Sequence, residues 1–108
     1  MIARPSMADL VYAGLSRTDR ARSRVDARYD RGGLSPVEWR TAMAAVYVRE
    51  ARWWAVLSRV TVADHSIPVV YITAVGKARA AADRRAEEWA RSAEEHARIT
   101  ALASVRVA

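Results

Sequence analysis

Arg17, Arg20, Arg24, Arg28 and Arg31 follow one another at steps of three or four residues. On an α-helix this spacing gathers them into an arc of about 80° and a row roughly 21 Å long. Guanidinium groups so arranged can hold the phosphates of a nucleic acid or the carboxylates of an acidic partner helix. The same row also suits a solvated helix back, neutralised by counterions and by Glu87, Glu88, Glu94 or Glu95 from a neighbouring helix. Asp19, Asp26 and Asp30 fall on another side, so the segment segregates its charges.

Glu50 is the second residue to weigh, because it lies in the middle of an apolar arc formed by Met43, Val46, Trp53 and Leu57. An ionised carboxylate there costs several kcal/mol, on the order of the penalty for any buried ion, unless it is paired. We read it as a structural ion pair that fixes register, or as an oligomer contact. Extrapolated antiparallel registers make Lys77, Arg79 and Arg84 its nearest partners and leave Arg22 about two turns away. A catalytic acid would need a second group, and none accompanies it.

The remaining chemistry-bearing residues are less productive. Asp64, His65 and Ser66 supply the residue types of a hydrolase triad, but consecutive residues cannot converge on one reacting atom. Trp53 and Trp54 diverge by about 100° on a helix, so they face different neighbours as core, or present a stacking surface for bases. His65 and His96 are far apart in the folded register and the chain has no cysteine, which excludes a thiol nucleophile or disulfide and argues against a metal site. With no phosphate loop and no paired carboxylates, the sequence predicts no catalytic residues, no cofactor and no small-molecule substrate. A non-enzymatic protein is expected.

The elements that position these residues are helices. The chain has 108 residues with a net charge of +6, no phenylalanine, few glycines and prolines, and 18 basic residues of which only Lys77 is lysine. Alanine, arginine and valine dominate, a bias that points to an all-α chain and also fits a GC-rich genome. A positive charge of this size favours anionic partners. The expected organisation is a single helical domain over 1–108, with an N-terminal arm at 1–5 and an apolar C-terminal extension at 99–108. No apolar run reaches membrane-spanning length and no cleavable leader is recognisable, so a cytoplasmic protein is expected.

Ser6 and Asp9 form a capping pattern that starts a first helix near Met7, running to Asp30 with Met7, Val11, Leu15, Thr18, Val25 and Tyr29 on one face and Arg22 intruding. Ser35, Pro36 and Glu38 start a second at 36–62, whose wide stripe of Trp39, Ala42, Met43, Val46, Trp53, Trp54, Leu57 and Val60 calls for two neighbours. A third helix is predicted from about 67 to 103, with Ser66 as its cap and Pro68 in its first turn. Its Pro68–Thr73 stretch has strand propensity, but no second strand exists to pair with it. Ala78, Ala82, Ala86, Trp89, Ala93 and His96 make a narrow stripe suited to close approach, and Gly76 leaves room for an indole. Glu87 with Arg91 and Glu94 with Arg98 are spaced for helical ion pairs. The result is an antiparallel three-helix bundle whose last helix outruns its partners.

Tyr29, the Gly32–Gly33 pair, Leu34, Ser35, Glu38 and Trp39 resemble the glycine-turn pattern of SHOCT-like helical hairpins, over about residues 22–43. That resemblance implies hairpin geometry and a lean toward self-assembly or tethering. Together with the uncovered Ile99, Leu102, Val105 and Val107, it predicts a homo-oligomer, most simply a dimer, that binds a protein through a charged face. The alternative is a basic DNA-phosphate-contacting regulator or accessory protein of a chromosome, plasmid or phage, using Arg17, Arg20, Arg24, Arg28 and Arg31.

Overall fold

The computed structural model describes residues 4–107, with side chains through Arg106; residues 1–3 of the expected arm and residue 108 of the expected extension lie outside the described residues. Three helices follow in order: α1 (Met7–Asp30), α2 (Pro36–Ala63) and α3 (Val69–Val107). Among the described residues there is no strand, and the all-α antiparallel three-helix bundle expected from the sequence is what forms.

Local chemistry explains the boundaries. Ser6 and Asp9 close one capping box and Ser35 and Glu38 another, each reciprocally bonded, so both helices begin where the pattern places them. Gly32 takes φ 77°, the left-handed conformation that ends α1 and returns the chain in a short turn. The start of α3 differs from expectation. It begins at Val69, with the Pro68 carbonyl accepting from the Tyr71 and Ile72 amides at 3.0 and 3.4 Å. Ser66 does not cap it: its amide and hydroxyl both donate to Asp64 Oδ1, at 3.0 and 2.7 Å, closing a local turn. The Val69–Thr73 stretch is helical despite its β-branched residues, and α3 continues to Val107.

Packing makes the architecture unusual for three helices. α2 packs along both neighbours, whereas the backbones of α1 and α3 stay apart, and the molecule measures 63 × 31 × 16 Å. The bundle is an open layer with α2 in the middle rather than a closed triangle. Its core is correspondingly sparse: Val11, Ala21, Met43, Val46, Ala51, Ala82 and Ala86 are the buried apolar residues. The alanine stripe of α3 meets α2 at Ala51, with Tyr47, Val48 and Trp54 packed around it. On the α1 side, the Trp53 indole lies against Gly14, where an added Cβ would sit 2.1 Å from the ring. The two adjacent tryptophans thus serve different neighbours, as their angular divergence requires. The glycine that makes room is Gly14; Gly76 has nothing within 4 Å of where its Cβ would be. Met7, expected on the inner face of α1, is 46% exposed.

Candidate functional site

One face of the layer is closed by polar and aromatic side chains reaching across α2. Glu50 accepts from Arg22 of α1 and, at 2.6 Å, from Arg85 of α3, and its side chain is only 10% exposed. Its role as an ion-pair anchor is as expected, but neither partner is among Lys77, Arg79 and Arg84. The register argument placed Arg22 two turns off by its Cα position. Helical side chains lean toward the N-terminus of their own helix, so in an antiparallel pair Arg22 and Glu50 lean toward each other and close that gap. Arg22 also bonds Asp19 at 2.8 Å and lies 4.7 Å from the Tyr47 ring centroid. Burial works against its charge, but the hydrogen bond to Asp19 and the attraction and hydrogen bond of Glu50 outweigh it, so its pKa rises above the ordinary arginine value.

Beside this triad, aromatic rings tie the three helices together. Trp39 stacks on Tyr29 at 4.6 Å and meets Trp89 edge-on at 5.3 Å, while Tyr47 stacks on Trp89 at 5.5 Å. The Trp39 indole donates to Asp26 Oδ1 at 2.9 Å. Asp26 of α1 is therefore engaged in holding α2.

The arginine side of α1 has the opposite character. Arg17, Arg20 and Arg24 line a groove of about 320 Å³ between α1 and α2, together with Gly14, Thr18, Ala21, Arg49 and Trp53. Four arginines line it and no carboxylate does. Among the described residues none of these four has an acidic group within salt-bridge distance. Neutralisation by Glu87, Glu88, Glu94 or Glu95 does not occur, because α3 lies on the far side of α2. The Arg17 guanidinium lies 5.8 Å from the Trp53 ring centroid. A second depression, about 330 Å³, is lined by Arg49, Arg52, Trp53 and Val56, so that Arg49 and Trp53 border both hollows.

Arg28 and Arg31 do not join this groove. Arg31 is the C-cap of α1 and Arg28 sits near the turn, where its charge contributes to lowering the Glu38 pKa. The larger causes there are the Ser35 amide and hydroxyl bonded to the Glu38 carboxylate. Arg49 was missed as a site residue. Its position four before Trp53 puts both on one helical face, and that spacing was the available signal.

Beyond the α1–α2 turn, α3 runs on alone. Every described side chain from Ala97 to Arg106 is exposed, including Ile99 at 53%, Leu102 at 58% and Val105 at 74%. Ile99, Leu102, Ala103 and Arg106 line a shallow apolar depression on this stem. The helical ion pairs Glu87–Arg91 and Glu94–Arg98 are not formed; Arg79 and Asp83, at 4.0 Å, make the i, i+4 contact present in α3. Among the described residues no cluster of three His, Cys, Asp or Glu is placed to hold a metal ion, and no helix is long and apolar enough to cross a membrane. His96 bonds the Ser92 carbonyl of its own helix at 3.0 Å. No family model, curated protein or solved structure matches this chain.

Proposed function

We propose that this protein is a non-enzymatic helical assembly module that dimerises through the end of α3 and presents a charged face to a macromolecular partner. The observation that supports it is the α3 stem: a helix continuing past its neighbours with Ile99, Leu102 and Val105 in solvent. Exposed residues recurring every three positions on one helix form a stripe that a second copy can cover by laying its own stem alongside. Such a contact buries the same residues on both chains, and the shallow depression at Ala103 admits the partner's side chains. The resemblance to SHOCT-like hairpins points toward self-association as well.

The test is multi-angle light scattering on the full chain and on a chain ending at Arg98. Residues 69–98 of α3 still span the whole of α2, so the shortened chain keeps its helical content by circular dichroism. The full chain is expected to run as a dimer at micromolar concentrations and the shortened one, like Leu102→Glu, as a monomer. A full chain that stays monomeric near millimolar concentration rejects the proposal.

A further inference from the structure

We infer that the α1–α2 groove is a binding site for single-stranded nucleic acid, with phosphates held by Arg17, Arg20, Arg24 and Arg49 and a base stacked on Trp53. This names the partner of the charged face proposed above and rests on that face, though not on the α3 stem.

Four arginines converge on the groove from two helices, and its lining contains no carboxylate. Among the described residues their charges have no acidic partner, and Asp19 and Asp26 of α1 are engaged by Arg22 and Trp39. The acidic residues of α3 are separated from the groove by α2. A polyanion is the ligand that such a surface complements. Repeated guanidinium groups along a helix suit a repeating phosphodiester better than a single small anion.

The indole decides between nucleic-acid forms. Trp53 is seated on Gly14 and lines both the arginine groove and the depression of Arg49, Arg52 and Val56. Arg49 lines both. A strand running along the arginines can thus place a base against the indole where it borders that depression while its phosphate stays with Arg49. Single strands present base faces next to their phosphates, whereas a duplex keeps its bases stacked inside and leaves Trp53 without a partner. The groove therefore has a phosphate side and a base side, built on two packed helices.

The experiment is fluorescence anisotropy with a labelled 15-mer of thymidylate, titrated at several salt concentrations against the full chain. Binding is expected in the micromolar range, with a log–log salt slope of about −3 for four phosphates on a single strand. Arg20→Gln with Arg24→Gln, and separately Arg49→Gln, should weaken binding and flatten that slope; all three positions are exposed, so the fold is retained. Trp53→Leu should weaken binding about tenfold with the slope unchanged, which separates stacking from charge. Absence of binding at low salt overturns the inference. So does equal or tighter binding of a duplex of the same length, or displacement by polyglutamate as effective as by unlabelled thymidylate, which would identify an acidic protein instead. Insensitivity to Arg49→Gln overturns it even if Trp53→Leu does not fold. The chain ending at Arg98 is titrated in parallel: it should still bind the 15-mer, so failure of dimerisation and failure of this site are read separately.

Discussion

The two seams of α2 are built by different means. Toward α3 the contact is small residues, Ala51 against Ala82 and Ala86, so the helices close on one another and Trp54 packs over the join. Toward α1, beside the buried Val11 and Ala21, a large indole sits on a single glycine, flanked by polar struts from Asp26 to Trp39 and from Arg22 to Glu50. An indole seated on one glycine leaves concave space beside it, and that space is where the unpaired arginines gather. The α2–α3 seam also has a hollow, of about 330 Å³, but Asp83 and Glu87 line it with Arg52, so the two seams differ in the charge that their hollows carry.

Substitution at Gly14 should break this contrast most severely. Gly14→Ala puts a methyl carbon into the fused part of the Trp53 ring and should destabilise the protein by about 3 kcal/mol, the upper range of overpacking, in urea denaturation followed by far-UV circular dichroism. Gly76→Ala, which meets nothing, is the control and should stabilise by about 0.5–1 kcal/mol. If both substitutions behave alike, the brace at Gly14 is not what holds α1.

The second prediction compares the two guanidiniums on Glu50. Arg22→Ala removes the more buried partner and its contact with Tyr47, and should cost about 2–3 kcal/mol; Arg85→Ala, whose side chain is 44% exposed, should cost about 1 kcal/mol. The same denaturation curves read both. Equal losses would mean that Glu50 anchors the two seams alike.

The smallest effect concerns the turn between the first two helices. Glu38 has its pKa lowered by the bonds from the Ser35 amide and hydroxyl, so the folded state binds its proton more weakly than the unfolded one. Its contribution is fully present above the ordinary value of 4.5 and is lost as pH falls through the lower folded value. Glu38→Gln keeps an acceptor for the Ser35 amide but cannot titrate. Its stability should fall less steeply below that pH than the wild type's in paired thermal melts, and parallel pH profiles would show that the capping carboxylate is not responsible.

Helix count and the two capped starts were legible in the sequence because Ser6, Asp9, Ser35, Pro36 and Glu38 encode them locally. The division of labour between Trp53 and Trp54 was legible too, since angular divergence is a property of the helix alone. The open layer was not. A wide stripe on α2 says that two neighbours cover it, but not whether those neighbours also meet each other; that depends on the angle at which each seam closes. Partner identity failed for a related reason. Arg22 and Arg85 reach Glu50 by the lean and length of their side chains, which a Cα register leaves out. The start of α3 was misplaced because Ser66 has a nearer acceptor in Asp64 than any helix of its own to cap. Of the groove, Arg17, Arg20 and Arg24 were visible as a row on one helix, whereas Arg49 joins them only once α2 is docked.

Because the backbones of α1 and α3 stay apart, each closely packed helix pair is also adjacent along the chain. The hairpin of the first two helices can form as soon as both have been synthesised, and the third then docks onto a surface already in place. Short-range topology of this kind belongs to the fast folders, which reach the native state in microseconds to milliseconds.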